Sequence, residues 1–327
     1  MPVTQKDIAR ELNISHSLVG KVLNGRGNVW ASTELCERIR TTARERGYRP
    51  NAAAQALVNG RANLVAIWSA HLQLPVYTRY VAHLQALAHA AGSQVLIRDV
   101  VQETGQWNWP ADGIFCIDAP LRVREYRASS PGASIPIVGV GVLECEGVDQ
   151  VLSDLESGTS EAMREMIGQG RTRIAYLIPS ETLHATDDGR WLAYHRAAAA
   201  RNAPPELIAT HGMSDAAAYN AVHAHVREHG LPEGMLVFGS FMVIGALKAL
   251  DELGAQVPGD VAVVTVDDSP ELSFLKPALS AVELPVERVA SEAWRLLRFR
   301  QENPQAPRQS VMLPTRFVQR ASTAAGR

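Results

Sequence analysis

Cysteines are few in this chain of 327 residues: it has only Cys36, Cys116 and Cys145, and they lie far apart. An odd number at such wide spacing predicts neither a disulfide framework nor a metal site with cysteine ligands. Long apolar runs are also missing, and the N-terminus begins with a helix-capping residue instead of a signal peptide. We therefore expect a cytoplasmic protein that does not span a membrane.

The common motifs of cofactor-binding and catalytic sites are absent as well. The sequence has no GxGxxG after a predicted strand, no phosphate-binding P-loop and no nucleophile elbow. Its ten histidines are dispersed. His225 and His229 have the i, i+4 spacing of a metal site, but no glutamate follows His225 as it does in HExxH. The sequence therefore predicts no enzymatic activity, no cofactor and no metal centre.

The N-terminal part of the chain carries the strongest local signals. Thr4 is a good N-cap for a first helix, and Asp7 adds an imperfect capping box, since Asp reaches back less well than Glu or Gln. Apolar residues then recur at helical spacing, a tight turn follows, and Ser15 caps a second helix. A third helix is predicted between about Thr33 and Arg46, with Gly47 at its C-cap position. Two short helices joined by a tight turn predict a helix-turn-helix, whose second helix enters the DNA major groove.

The outward face of the second helix is polar, and the surrounding head is basic. Residues 1–61 contain ten Lys or Arg against five Asp or Glu, whereas the rest of the chain has 22 against 29. Helix spacing alone would also fit a plain three-helix surface domain, but DNA phosphates favour such local positive charge. Gly20 is also expected to face outward. The residues predicted to contact DNA in this region are Thr4, Ser15, His16, Ser17, Lys21 and Asn24.

The order and identity of these residues resemble a known family. VTQKDIAR, VGKVLNG and GYRPNAAAQAL are similar to the opening of the lactose-repressor and galactose-repressor (LacI/GalR) family of bacterial transcription regulators. The resemblance implies that residues 50–61 form a hinge that becomes helical only on operator DNA. In that hinge, Asn51, Ala54 and Leu57 would contact DNA, with Leu57 as a wedge in the minor groove. A homodimer on a pseudo-palindromic operator is implied too.

From residue 62 onward, apolar strand runs alternate with amphipathic helices, which predicts two Rossmann-like lobes of parallel sheet with a cleft between them. The resemblance continues through PADGIFCI, GQGRTRIAYL and ALKALDELGAQVPGDVAVVTVDD, with VLSDLESG similar to the family's turn between lobes. It implies a periplasmic-binding-protein-like α/β body behind the all-α head and hinge. The expected domains are the head 1–49, the hinge 50–61 and the body 62–327, with one lobe at about 62–150 plus 285–308 and the other at about 155–280 plus 309–327.

One connection in the first lobe is too short for the helix that the family has there. Only thirteen residues separate Arg98 from Asp112, and GQWNWP within them is rich in turn formers. We expect an aromatic loop instead, whose Trp107 and Trp109 either cap the cleft or cover the sheet.

For the ligand site, the resemblance implies a small sugar or nucleobase held between the lobes. Arg190 in RWLAY and Asp267 in VTVDD match binding positions of the family. An arginine opposite a carboxylate is well suited to orient a hydroxylated molecule. Arg98, if it faces the cleft, would favour an acidic ligand such as a sugar acid or phosphate. The further candidates are Ser69, Tyr77, Asp154 and Ser240.

Two departures from the family pattern limit what the resemblance implies. The recognition helix has Leu18, Gly20 and Lys21 where the family usually has Thr, Ser and Arg, and lysine cannot make the bidentate contact of arginine to guanine. In the body, the family's Asn-Asp pair is replaced by Gly239 and Ser240, which removes a carboxylate from the sugar site. The operator sequence and the effector therefore stay open.

The sequence as a whole predicts a DNA-binding transcription regulator, foremost a repressor, controlled by a small carbohydrate-like effector. The alternative is a small-molecule-binding α/β protein, or an enzyme, whose head does not read an operator.

Overall fold

The computed structural model describes residues 3–23, 31–48, 61–100, 110–129 and 135–324. The chain divides into two compact units, a head of residues 1–62 and a body of residues 63–327. Several residues singled out in the sequence lie outside the described ranges, and they are Asn24, Asn51, Ala54, Leu57, Trp107 and Trp109.

The head contains helices α1 (Gln5–Leu12), α2 (His16–Leu23) and α3 (Thr33–Glu45). Asn13 ends α1 in the left-handed conformation, with φ 54°, and so turns the chain sharply into α2. The apolar faces of the helices meet in a small core formed by Ile8, Ala9, Val19, Val22, Ile39 and Ala43. The predicted helix-turn-helix is confirmed.

The first lobe of the body is built on a parallel sheet. Its strands are β1 (Leu64–Ser69), β2 (Gln94–Asp99), β3 (Gly113–Ile117), β4 (Ile137–Gly141), β5 (Asp149–Asp154) and β11 (Ser310–Pro314). They lie in the order β11-β5-β4-β3-β1-β2. Central strands such as β3 and β4 are buried along their whole length, which explains why GIFCI and IVGVG are continuous apolar runs.

The second lobe repeats this plan. Its strands are β6 (Ile174–Pro179), β7 (Glu206–Thr210), β8 (Gly234–Val237), β9 (Ala262–Val266), β10 (Ser280–Glu283) and β12 (Arg316–Val318). They lie in the order β12-β10-β9-β8-β6-β7, and only the pairing of β12 with β10 is antiparallel among the described strands.

Helices cover the faces of these sheets. They are α4 (Pro75–Ala90), α5 (Pro120–Ser129), α6 (Leu155–Gly168), α7 (Gly189–Ala199), α8 (Asp215–His229), α9 (Val243–Glu252) and α10 (Val286–Glu302). In the first lobe α4 packs on α10, while α5 places Val123 and Tyr126 in a separate cluster with Trp68. In the second lobe α6 packs on α7, and α8 packs on α9. The predicted α/β body of two lobes is confirmed.

The described chain passes between the lobes after β5, between β10 and α10, and between β11 and β12. Thr315 ties two of these passages together. Its Oγ1 donates to the backbone oxygen of Asp154 at 2.6 Å and accepts from the backbone N–H of Gly158 at 3.0 Å. Because Thr315 is only 3% exposed, these bonds form away from water.

The crossing expected at VLSDLESG is present, since its first four residues complete β5 and the rest begin α6. One sequence expectation about these passages is wrong. Residues 310–314 belong to the first lobe instead of the second, since β11 pairs with β5 and places Ser310 opposite Gln150. The backbone N–H of Gln309 also bonds to Asp149 Oδ1 at 2.8 Å, which fixes the chain in the first lobe up to β11.

A buried ion pair holds α10 against the first sheet. Arg300 is 7% exposed, and its Nε and Nη2 donate to the two carboxylate oxygens of Asp149 at 2.7 and 2.9 Å. Its Nη1 donates to backbone carbonyls after the helix, among them that of Pro304 at 3.2 Å. Burial alone would raise the pKa of Asp149, but the hydrogen bonds from Arg300 and Gln309 outweigh it and the pKa is lowered.

We predict that Arg300→Met lowers the free energy of unfolding by about 3–5 kcal/mol, because Asp149 then remains buried without its cation. Urea denaturation followed by circular dichroism measures the change. Arg298→Met on the same helix is the matched control, since the Arg298 side chain is 50% exposed. It is expected to change stability by no more than about 0.5 kcal/mol. An equal decrease in the free energy of unfolding in the two variants would contradict the proposed contribution of the buried pair to stability.

Candidate functional site

The head presents a polar face on α2. Ser15, His16, Ser17 and Lys21 are exposed, as the sequence predicts for groups that meet DNA, and Thr4 is exposed at the start of α1. A lysine and several hydroxyl groups on one short helix can donate to phosphate oxygens and base edges.

Thr4 and Ser15 also have a structural role. Thr4 forms a complete capping box with Asp7, since Asp7 Oδ2 accepts from the Thr4 N–H at 2.9 Å and Thr4 Oγ1 accepts from the Asp7 N–H at 3.4 Å. Asp7 therefore completes a capping box that the sequence predicts to be imperfect. Ser15 Oγ accepts from the N–H of Leu18 at 3.2 Å and so caps α2.

Gly20 does not lie fully outward, contrary to the sequence expectation. It is half-buried, and a Cβ atom at this position would lie 3.2 Å from Oε1 of Gln5 on α1. A side chain at Gly20 would require the end of the Gln5 side chain to shift by a few tenths of an ångström.

In the body, polar side chains gather at the carboxyl ends of the strands. Asp118 directly follows β3, and Asp267 directly follows β9. Both have positive φ, 47° and 71°, so the chain turns sharply at the end of each strand. Ligands of open parallel sheets bind at this edge. Asp118 was not predicted from the sequence, although its position after GIFCI is the same signal that marks Asp267 after VAVVTV.

Arg190, the first residue of the expected ligand pair, lies near the start of α7. Its guanidinium already hydrogen-bonds to other residues of the chain. Its Nε and Nη2 donate to the carboxylate of Asp188 at 2.9 and 2.6 Å, and its Nη1 donates to the carbonyl of Phe238 at 3.0 Å. The guanidinium also lies 3.5 Å from the ring centroid of Phe238. Asp188, which the sequence analysis missed, therefore orients this arginine.

Asp267, the second residue of that pair, is only 6% exposed and also has protein partners. Ser240 Oγ donates to its Oδ2 at 2.9 Å, and Arg79 Nη1 donates to its Oδ1 at 3.1 Å. Burial raises the pKa of Asp267 to about 6, although the bond from Ser240 and the charge of Arg79 oppose the shift. Arg79 was not predicted, because it lies on α4 in the other lobe, far from Asp267 in sequence.

Asp118 is a second buried acid at the cleft edge of the first lobe. Its Oδ1 accepts from the backbone N–H groups of Val142 and Leu143 at 2.7 and 2.8 Å, and Tyr77 hydrogen-bonds to the carboxylate. Gly141 makes room for it, since a Cβ there would lie 2.3 Å from the Asp118 Oδ1. Burial raises the pKa of Asp118 to about 6 against these hydrogen bonds.

The remaining predicted residues divide into two groups. Ser69 ends β1 in register with Ile117, so it lies beside Asp118, and its hydroxyl is fully buried with no hydrogen-bond partner among the described residues. Tyr77 also lies beside Asp118, to which it hydrogen-bonds. In contrast, Asp154 caps α6 through Oδ1, which accepts from the Glu156 N–H at 3.0 Å. This capping bond gives Asp154 a structural role at the start of α6.

Arg98 is not placed with the other candidates. It lies on β2, in register with Trp68, and therefore faces the side of the first sheet opposite Ser69. The expectation that Arg98 faces the cleft, and with it the argument for an acidic ligand, receives no support from this position.

The arrangement can hold a small hydrogen-bonding molecule. Carboxylates of Asp118 and Asp267 offer acceptors, the arginines and hydroxyl groups offer donors, and Tyr77 offers aromatic surface. In the described part of the chain, no cluster of three or more His, Cys, Asp or Glu side chains could hold a metal ion. No helix within the described ranges is both long and apolar enough to cross a membrane.

We predict that Asp118→Asn flattens the pH dependence of stability. The pKa of Asp118 is raised from 3.8 to about 6 on folding, so the folded protein binds the proton more tightly and loses stability as pH rises through this range. Asn keeps an oxygen for the N–H groups of Val142 and Leu143 but does not titrate. Between about pH 4 and pH 7.5 the parent is expected to lose roughly 1–3 kcal/mol more than the variant.

Urea denaturation at several pH values measures this difference. Asp251→Asn is the matched control, because the Asp251 side chain is 81% exposed and the variant should keep the parent's slope. A variant Asp118→Asn with the parent's pH profile would show that Asp118 ionises as freely in the folded protein as in the unfolded chain.

Comparisons with known proteins agree with this architecture. Residues 163–323 match the periplasmic binding protein-like domain family. The HTH-type transcriptional repressor PurR of Pectobacterium carotovorum is 24% identical over 341 residues, which cover 99% of this chain and 97% of that protein.

Solved structures share the fold. The lac repressor dimer bound to operator and the anti-inducer ONPF has a TM-score of 0.81 at 22% identity, covering 99% of this chain and 100% of that one. A LacI family regulator from Arthrobacter sp. FB24 in complex with lactose has a TM-score of 0.70 at 22% identity, covering 80% and 99%. These findings show that the chain shares the fold of LacI-family regulators and is similar along nearly its whole length to a transcriptional repressor.

Proposed function

We propose that the protein is a DNA-binding transcription repressor that acts as a homodimer on a pseudo-palindromic operator. The observation that carries the proposal is a helix-turn-helix with an exposed polar face, in the same chain as a two-lobed body with polar side chains at the carboxyl ends of its strands. Two-fold symmetry of the dimer would match two half-sites of the operator. The similar repressors and the basic charge of the head support it.

A small carbohydrate-like effector between the lobes is proposed as the controlling signal. The buried acids and the Ser69 hydroxyl provide directed hydrogen bonds for such a molecule, and a related structure contains lactose. We propose that its binding shifts the lobes and thereby changes the stability of the hinge, residues 50–61, on DNA. Asn51, Ala54 and Leu57 would make the hinge contacts that the family resemblance implies.

The proposal includes a cytoplasmic location and no enzymatic activity, which accord with a regulator of transcription. The alternative is a small-molecule-binding α/β protein, or an enzyme, whose head does not read an operator. DNA binding distinguishes the two: the alternative protein would bind all DNA fragments alike, whereas the proposed repressor would prefer one.

The experiment is a fluorescence-anisotropy titration of the full chain against labelled DNA fragments from the region around its own gene. Each fragment is titrated with and without a panel of sugars, sugar acids and sugar phosphates. Tight, salt-sensitive binding to one fragment, weakened or strengthened by one compound, is the expected result. Equal binding to all fragments would contradict the repressor proposal, and specific binding that no compound alters would contradict the effector part.

Lys21 provides a residue-level prediction on the same assay. Lys21→Ala is expected to weaken binding to the preferred fragment by about three- to tenfold, because a phosphate contact is lost from each subunit. The slope of log K against log salt should fall by about one for each subunit. Lys248→Ala on α9 of the body is the matched control and should leave both quantities unchanged. Binding by Lys21→Ala with the parent's affinity and slope would exclude this lysine from the interface.

A further inference from the structure

Arg79 links the two lobes of the body across the cleft. It lies on α4, which packs on α10 in the first lobe, whereas Asp267 and Asp268 follow β9 in the second lobe. Its Nη1 donates to Asp267 Oδ1 at 3.1 Å and to the backbone oxygen of Asp268 at 2.8 Å. We call these two bonds the inter-lobe contact.

Both residues that accept the inter-lobe contact have further hydrogen bonds. Ser240 donates to the other carboxylate oxygen of Asp267, and Arg320 donates to both carboxylate oxygens of Asp268 at 2.9 and 2.7 Å. The side chain of Asp267 is 8% exposed and that of Arg79 is 29% exposed. A charge-assisted bond at a largely buried, fixed acceptor is stronger and less screened than a surface ion pair.

The same contact occupies the group that an effector would use. Both carboxylate oxygens of Asp267 already accept a bond from the protein, one from Arg79 and one from Ser240. Asp267 is also the residue that the family resemblance places at the ligand. A hydroxylated molecule that bonds to Asp267 Oδ1 therefore has to displace the guanidinium of Arg79 or share the oxygen with it.

We infer that Arg79 is an internal competitor of the effector: it holds the cleft closed in the unliganded protein and determines which molecules can open and enter it. The inference rests on the proposed function only in identifying the cleft as the effector site. A ligand that offers Asp267 a single neutral hydroxyl replaces a charge-assisted bond with a weaker one. Its affinity is therefore lower than it would be in a cleft without the Arg79 contact. Ligands with several donors aimed at Asp267 and Asp118 are favoured.

The test measures closure of the lobes without DNA or effector, so its failure is distinct from a failure of the proposed function. Single-molecule FRET uses dyes on Glu144→Cys and Glu181→Cys in a Cys36→Ser background. Both sites are exposed and follow the carboxyl ends of β4 and β6, on opposite sides of the cleft. Cys116 and Cys145 are buried, and labelled chains are diluted into excess unlabelled chains to exclude energy transfer between subunits.

Arg79→Met is expected to lower the ratio of closed to open molecules by about tenfold or more, because two bonds from a charged donor are lost. Arg79→Lys keeps the charge without the planar guanidinium and should give an intermediate ratio. The matched control is Arg122→Met, since Arg122 bonds within the first lobe, to the Val100 carbonyl at 2.7 Å and to Glu125 at 2.6 Å.

The control should retain the parent's distribution, and circular dichroism should show that all variants are folded. If Arg79→Met and Arg122→Met both keep the parent's ratio of closed to open molecules, Arg79 does not hold the cleft closed and the inference is overturned.

Discussion

Parallel pairing of the strands is the constraint on which the candidate ligand site depends. In each lobe it brings the carboxyl ends of β1, β3 and β4, or of β6, β8 and β9, to one edge of the sheet. Residues that are distant in sequence thereby become neighbours, as Ser69 and Asp118 do. A shift of one residue in the register would turn their side chains to opposite faces. The buried pair of Arg300 and Asp149 secures the sheet at β5, where its register with β11 is set.

Charge in the cleft is balanced inside the protein. Arg190 is paired with Asp188, Asp267 with Arg79, and Asp268 with Arg320. Asp118 is stabilised by hydrogen bonds with two backbone N–H groups and with Tyr77. A molecule that enters this cleft exchanges hydrogen bonds with groups that already have partners, so its selectivity depends on how well it reproduces them. Shape and the direction of its donors then count for more than its net charge.

The sequence predicts those parts of the protein that are governed by local pattern. The helices of the head and the buried strands follow from spacing, capping and apolar runs, whereas Asp267 was a candidate through the family resemblance. Residues whose roles come from long-range contact were missed, as Arg79 shows, because nothing around it on α4 distinguishes it from a surface arginine. Arg98 shows the opposite error. Its residue type suggested a ligand contact, but the register of β2 places it on the other face of the sheet.

The boundary between lobes was misplaced for a related reason, since β11 is short, partly exposed and stabilised mainly by pairing with β5. Its end at Thr315 has a mechanical consequence. Because Thr315 bonds to Asp154 and Gly158, two of the connecting segments are fastened side by side, which resists sliding of one lobe along the other. A rotation of one lobe about these segments would leave both bonds intact. Because the far edges of the sheets lie at a distance from Thr315, they would move farther in such a rotation than the residues beside it.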